Sequence, residues 1–257
     1  MTRRARARVL SVALVVLWLL FWEFSIRWGL LDDRFFMPPS TILNQFAAML
    51  LYDNLAAHIS ISVQRLIVGY LLGVIPALLV GLLLRRNALL GVGCGPLLVI
   101  LASFPALAMY PVIMLIFGLG EWSKWIVVAV STFSTMLYWT QSRLARRPDV
   151  GGDVAAGSIG ETLGAGGVPQ SMWATSLFTG LKFAVWIALL TLMPAEFVGA
   201  KSGIGRVIWL AWQEFHVEAM YVGIALAGVV GALAWLAVDL VERLVGAVAT
   251  RRAGGVT

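Results

Sequence analysis

Long apolar stretches separated by short polar or basic breaks dominate the chain. Six of these stretches reach the length of about 20 residues that a membrane-spanning helix requires. We place them at about 9–31, 59–84, 89–117, 124–141, 174–198 and 219–240. The pattern therefore predicts an all-α membrane protein with six transmembrane helices.

Two shorter segments between these stretches are expected to form helices that do not cross the membrane. Aspartates and prolines at 32–39 end the first stretch, and Ser40 is placed to cap a helix over about 41–51. This helix is too short and too polar to span, so we expect it at the outer interface. A second short amphipathic helix is predicted over 206–215, just before the last span.

The third apolar stretch is interrupted by Pro96, Pro105 and Pro111. Irregular backbone at membrane depth is tolerated only against protein or a water-filled cavity. We therefore expect this stretch to lie inside the helix bundle beside a translocation pathway, with ordinary packing as the alternative. Its candidate pathway residues are Pro105, Met109, Tyr110 and Met114.

Two further features concern the second and fifth spans. Glu196 follows Pro194 near the outer end of the fifth span. An ionisable residue within a span is a functional candidate, so Glu196 joins the pathway residues, with a position in interfacial water as the alternative.

In the second span, Gly69 and Gly73 are spaced to let another helix approach closely, and Pro76 is expected to kink the helix.

Composition supports the membrane assignment. Hydrophobic residues make up 60% of the 257 residues and charged residues only 12%, with a mean hydropathy of +0.90. These values exclude a soluble domain and a disordered chain. The net charge of +6 would suggest nucleic-acid binding in a soluble protein, but here the basic residues flank apolar segments. They are therefore interpreted as orientation signals.

The distribution of the basic residues predicts the topology. Of the 19 Lys and Arg, thirteen fall on the side of both termini and six on the other side. The positive-inside rule then places both termini in the cytoplasm. It places the turn at 85–86 and the segment 148–170 there as well. The apolar run after the N-terminal arginines ends in bulky residues at 19–22, so we expect an uncleaved first span.

Catalytic and metal-binding signatures are absent from the sequence. There is no phosphate-binding loop, His58 and His216 stand far apart, and Cys94 is the single cysteine. We predict no catalytic residue and no metal ligand. A secondary transporter would be expected to show inverted repeats and carboxylates at the membrane midplane, and a membrane-embedded enzyme a polar cluster within the spans.

The cytoplasmic segment 148–170 carries apolar residues at nearly helical spacing. A helix, a glycine turn and a second helix would form a short hairpin below the membrane. An apolar face outside the bilayer needs a partner surface, so we expect this hairpin to bind another protein. A solvated connector is the alternative.

Several motifs, in order along nearly the whole chain, resemble those of one membrane protein family. It is the integral-membrane permease of binding-protein-dependent ABC importers, in the nitrate, sulfonate and taurine branch. The matching segments are FMPPS at 36–40, SVQRL at 62–66, PALAMYP at 105–111, FGLGEWSK at 117–124, TGLK at 179–182 and AEFVGAKSGIG at 195–205.

The family's hallmark is a cytoplasmic Glu-Ala-Ala-x3-Gly loop that docks into the ATPase subunit. Ala155, Ala156 and Gly160 fit this pattern, whereas Val154 stands at the position of the Glu. A second register would instead bring Leu163 and Gly164 to the hallmark's Gly, at the cost of both alanines. The candidate coupling residues are Asp153, Val154, Ala155, Ala156, Gly160, Glu161, Leu163 and Gly164.

The resemblance implies a type I ABC-importer permease fold in a single domain over 1–257, with core spans at about 59–245. It implies no cofactor in this chain, because ATP and Mg would be bound by a separate ATPase subunit. The other implied partners are a periplasmic or lipid-anchored substrate-binding protein and a second permease copy, identical or different. The expected location is the bacterial inner membrane. The substrate would be a nitrate-, sulfonate- or taurine-like anion or a small organic nutrient, with an ion-coupled secondary transporter as the alternative function.

Overall fold

The computed structural model describes residues 3–103, 105–142 and 172–254, and within these ranges the chain is helical with no strand. The helices are α1 (Arg3–Arg27), α2 (Pro39–Tyr52), α3 (Leu55–Arg86), α4 (Ala88–Ser103), a 3-10 helix (Ala106–Met109), α5 (Tyr110–Phe117), α6 (Glu121–Ser142), α7 (Met172–Phe197), α8 (Ile204–Gln213) and α9 (Val217–Gly254). The all-helical class expected from the sequence is therefore confirmed.

Within the described residues, four helices are long and apolar enough to cross a membrane. They cover 9–27, 55–84, 177–197 and 217–247. The third apolar stretch adds a fifth candidate if its two helical parts, bent by 71° between 93–101 and 106–117, form one broken span. The break expected at the prolines is thus present. The described helices give four or five candidate spans, and the arrangement of six stays a prediction.

Helix α6 explains the difference between six expected spans and five. It has 22 residues, but Lys124 and several serine and threonine side chains lower its hydropathy. One face of α6 is nevertheless buried, since Val127, Val128 and Met136 have no exposed surface. Its hydroxyl groups are satisfied within the helix, as Thr132 Oγ1 donates to the carbonyl of Val128 at 2.9 Å. The polar composition of α6 therefore fits a helix that has one face packed against protein.

The chain forms two compact units. The first is drawn from 1–64 and 196–229, and the second from 65–195 and 230–257. The single permease domain over 1–257 stays a prediction. In the first unit, Ile42, Met49, Leu55 and Val222 form a buried apolar cluster.

The start of α2 corrects one expectation. Ser40 is not the N-cap of this helix, because Pro38 holds that position and Pro39 begins the helix. Ser40 instead donates its backbone N–H to Glu23 Oε2 at 3.0 Å and its hydroxyl to Glu23 Oε1 at 2.7 Å. Since Pro39 has no N–H, that of Ser40 is the first donor of the helix, and the Glu23 carboxylate from α1 satisfies it.

In the second unit, α3 packs closely against α6 along a row of small residues. A Cβ atom at Gly69 would lie 2.7 Å from Val128 Cβ, and one at Gly73 would overlap Thr132 Oγ1 and the carbonyl oxygen of Ala129. The close approach expected from the Gly69 and Gly73 spacing is therefore confirmed, with α6 as the partner. Helix α3 continues through Pro76 without interruption.

Candidate functional site

A cavity of about 290 Å³ lies in the second unit, beside the break in the third apolar stretch. Three elements form its walls: the residues that follow the break, one face of α6 and one face of α7. The lining residues are Pro105, Ala106, Leu107, Ser131, Ser134, Thr135, Ile187, Leu190 and Thr191.

The sequence accounts for the shape of this cavity. Pro105 cannot donate a backbone hydrogen bond and adopts an extended conformation with φ −75° and ψ 95°, so the helical path is interrupted there. The hydroxyl residues at 131, 134 and 135 are spaced i, i+3 and i+4, which places them on one face of α6. The lining residues 187, 190 and 191 have the same spacing on α7. The cavity is therefore built by two helix faces and one proline break.

Four hydroxyl groups supply the polar chemistry of the cavity. Ser131 Oγ donates to the carbonyl of Val128 at 2.8 Å, and Thr191 Oγ1 donates to that of Ile187 at 2.8 Å. Ser134 Oγ and Thr135 Oγ1 both donate to the Ser131 carbonyl, at 3.1 and 2.8 Å. Each hydroxyl hydrogen is thus directed at its own helix, and the oxygen lone pairs remain for a bound molecule.

Among the residues assigned to the pathway from the sequence, Pro105 lines the cavity. Tyr110 is buried, and its hydroxyl donates to the carbonyl of Ala195 at 2.9 Å, which fixes α5 against α7. Met109 and Met114 are half-buried and are not among the lining residues. The hydroxyl residues of α6 were missed from the sequence, although their spacing within a predicted span was the available signal.

Glu196 lies in the first unit, where its carboxylate is completely buried. The Ser62 hydroxyl lies 2.8 Å from both carboxylate oxygens, and the backbone N–H of Gly205 donates to Oε2 at 2.8 Å. Ser62 Oγ also accepts the N–H of Ile204 at 2.7 Å. The carboxylate therefore holds the N-terminus of α8 against α3, an arrangement that the helix dipole favours. Its approach to a pathway stays a prediction.

A second buried charge group lies where α5 turns into α6. The Arg65 guanidinium, 1% exposed, donates from Nε and from a terminal nitrogen to the two oxygens of Glu121 at 2.6 and 2.7 Å. These bonds hold the pKa of the Glu121 carboxyl below its usual value. Lys124 Nζ donates to the carbonyls of Leu119 and Gly120 at 3.0 and 2.9 Å. Both cations thus fasten the turn between α5 and α6.

A third charge group connects α7 with α9. Lys182 Nζ lies 2.5 Å from Asp239 Oδ1 and 2.7 Å from Glu242 Oε2, and it also lies 4.7 Å from the centre of the Trp235 ring. Arg243 Nε pairs with the other oxygen of Asp239 at 2.7 Å. The charges of two cations and two carboxylates balance in this cluster. We therefore interpret it as an ion-pair link between α7 and α9.

The coupling segment inferred from the sequence lies outside the described residues. This applies to Asp153, Val154, Ala155, Ala156, Gly160, Glu161, Leu163 and Gly164. Within the described ranges, no group of three or more His, Cys, Asp or Glu side chains is placed to hold a metal ion.

Comparison with known proteins gives no matching family model, but it gives several relatives that extend over most of the chain. A Bacillus subtilis permease protein named for aliphatic sulfonates transport is 27% identical, covering 86% of this chain and 81% of the relative. The nitrate import permease of Synechococcus elongatus is 28% identical over 80% of each protein. The taurine transport system permease of Escherichia coli is 22% identical over 93% of this chain and 89% of its own. The resemblance inferred from the motifs is confirmed: over most of its length, this chain is a relative of ABC transporter permease proteins of the nitrate, sulfonate and taurine type.

Proposed function

We propose that this chain is the transmembrane permease subunit of an ATP-driven importer for a small solute. The observation that carries the proposal is the similarity to three such permeases over 80–93% of the chain. Their names assign them to sulfonate, nitrate and taurine transport. We infer that the solute of the present chain is a small nutrient of similar size to these. A secondary transporter is not favoured.

The cavity beside Pro105 is the proposed place where solute passes through this subunit. It combines a broken span, four hydroxyl groups and an apolar wall, which is the usual composition of a small-molecule site. Backbone that departs from a helix at membrane depth is expected next to a cavity rather than next to lipid. These observations support a pathway that includes Pro105.

The proposed topology has six spans with both termini in the cytoplasm of a bacterial cell. Four of the described helices qualify as spans by length and composition, and helix α6 and the bent pair α4–α5 would be the other two. Single cysteines replacing Gly152 and Ser202, in a Cys94→Ala background, test this arrangement. We expect an impermeant thiol reagent added outside to label position 202 only. Labelling of both positions from outside would contradict the topology.

The proposed partners are two ATPase subunits, an external substrate-binding protein and a second permease. ATP and Mg would be held by the ATPase, so this chain would itself be no enzyme. The segment 148–170 is the proposed contact with the ATPase. Because Val154 replaces the acidic residue of the family's hallmark, we propose that a second, different permease with a fuller motif completes the dimer.

Affinity purification of the tagged chain with its co-expressed ATPase tests the function. We expect a stoichiometric complex whose ATP hydrolysis is stimulated by the loaded binding protein. Ala156→Asp should abolish the association, because an unpaired charge would be buried in the contact, whereas Ala156→Ser should preserve it. An Ala156→Asp protein that still copurifies and transports would contradict the docking role. Two copies of this chain with no other permease would contradict the mixed dimer.

A further inference from the structure

We propose that the cavity beside Pro105 is a subsite for a solute that carries hydrogen-bond donors, such as an ammonium, amino or amide group, rather than for a bare oxoanion. The inference rests on the proposed permease function and adds the chemistry of the transported molecule. It follows from the direction in which the cavity's hydroxyl groups point their hydrogens.

All four hydroxyl hydrogens of the lining are committed to backbone carbonyls. The distances from hydroxyl to carbonyl oxygen are 2.8 Å for Ser131, 3.1 Å for Ser134, 2.8 Å for Thr135 and 2.8 Å for Thr191. A hydroxyl that donates in this way still has lone pairs with which to accept. The hydroxyl oxygens that line the cavity are therefore acceptors, which an N–H or O–H of the solute would satisfy.

None of the nine lining residues carries a charge. Three basic residues of the same unit have partners elsewhere: Arg65 pairs with Glu121, Lys124 donates to the carbonyls of Leu119 and Gly120, and Lys182 pairs with Asp239 and Glu242. An oxoanion entering this cavity would lose its hydration without meeting a cation or an uncommitted side-chain donor among the lining residues, which is costly. An ammonium or amino group would exchange water for hydroxyl acceptors.

The size and the apolar part of the lining limit the solute further. A volume of about 290 Å³ is at the lower end of the range for ligand pockets. Leu107, Ile187 and Leu190 form the apolar part of the lining, and no charged residue lines the cavity. The cavity is thus suited to a small molecule with a donor-bearing end and a short hydrocarbon or ring portion.

Two matched probe pairs separate the donor from size and charge. Taurine and ethanesulfonate share a sulfonate and a two-carbon chain and differ in the ammonium group, whereas 4-aminopyrimidine and pyrimidine form a neutral pair. Binding would be measured by saturation-transfer NMR on the purified full chain in nanodiscs, without the binding protein. We expect the donor-bearing member of each pair to bind at least about tenfold more tightly.

Two threonine variants on α6 serve as test and control. Thr135→Val removes a lining hydroxyl at nearly constant volume and should reduce the preference for both donor-bearing probes severalfold. Thr140→Val removes a hydroxyl that also donates to its own helix, to the carbonyls of Met136 and Leu137, but does not line the cavity. The preference should persist in Thr140→Val. An equal loss in both variants would overturn the proposal.

Three other results would also overturn it: ethanesulfonate or nitrate binding as tightly as taurine, no preference within the neutral pair, or no binding of any probe. The failure of this inference is distinguishable from that of the proposed function. A preparation that assembles with the ATPase and hydrolyses ATP, but shows no donor preference, would refute the solute chemistry alone. A chain that does not assemble would refute the permease role, while the probe preference is still measured on the chain itself.

Discussion

The substitution Gly73→Ala tests the contact that positions the cavity's main wall. A Cβ atom at position 73 would overlap Thr132 Oγ1 and the carbonyl oxygen of Ala129, and it would lie 2.9 Å from the backbone nitrogen of Phe133. Two of these three neighbours are backbone atoms of α6, so no side-chain rotation can relieve the overlap. The two helices would have to separate.

The expected cost follows from two opposing terms. Alanine is favoured over glycine within a helix by about 1 kcal/mol. Overpacking a well-packed interface typically costs 1–3 kcal/mol, and a backbone overlap belongs at the upper end. We therefore expect Gly73→Ala to lower the free energy of unfolding by about 2 kcal/mol. Because Thr132 is adjacent to Ser131 in the cavity wall, solute uptake should fall as well.

Unfolding in mixed detergent micelles, followed by the fluorescence of the 11 tryptophans, measures the stability. Gly228→Ala in α9 is the matched control, since a Cβ there would meet no atom within 4 Å. This variant should be as stable as the parent chain or slightly more stable. A Gly73→Ala chain whose unfolding free energy and uptake match those of Gly228→Ala would refute the close packing of α3 on α6.

Three further predictions concern the buried and paired charges. Glu196→Gln should lower the free energy of unfolding by about 1–3 kcal/mol, because the glutamine amide cannot accept all the hydrogen bonds of the buried carboxylate. Glu214→Gln, at an exposed position, should have little effect. Thermal unfolding of both variants compares them. The stability that Glu121 contributes should be complete above its usual pKa of 4.5 and should be lost as the pH falls through its lowered folded pKa, so Glu121→Gln should flatten the acid side of a stability–pH profile. Lys182→Met should destabilise the chain more than Arg243→Met does. The reason is that the Lys182 side chain is 18% exposed and balances two carboxylates, whereas that of Arg243 is 78% exposed. Equal effects of the two variants in chemical unfolding would contradict the role of the Lys182 ion-pair cluster.

The helices could be predicted from the sequence because the bilayer imposes a simple length rule. Apolar runs of about 20 residues predicted α1, α3, α7 and α9, and the prolines predicted the break near Pro105. The spacing of Gly69 and Gly73 predicted a close helix contact, because small residues four positions apart on one helix let the backbone of another helix approach. These features depend on local sequence alone.

Other features depended on long-range contacts and could not be predicted. Ser40 has the residue type of a helix cap, but Glu23 from another helix takes that role. Glu196 could be identified as an unusual carboxylate, yet its partners Ser62 and Gly205 became evident only in the fold. The cavity was missed for the same reason: its hydroxyl groups come from two helices, at positions 131–135 and at position 191, and each group looks ordinary within its own segment.

Solute uptake by the reconstituted complex tests the central claim most directly. Proteoliposomes would contain this chain, its ATPase and, where needed, the second permease, with the loaded binding protein added outside and ATP supplied at the ATPase side. We predict accumulation that requires ATP hydrolysis and the binding protein and that persists when ionophores dissipate every ion gradient. Accumulation that proceeds without ATP and stops when the ion gradient is dissipated would contradict the account.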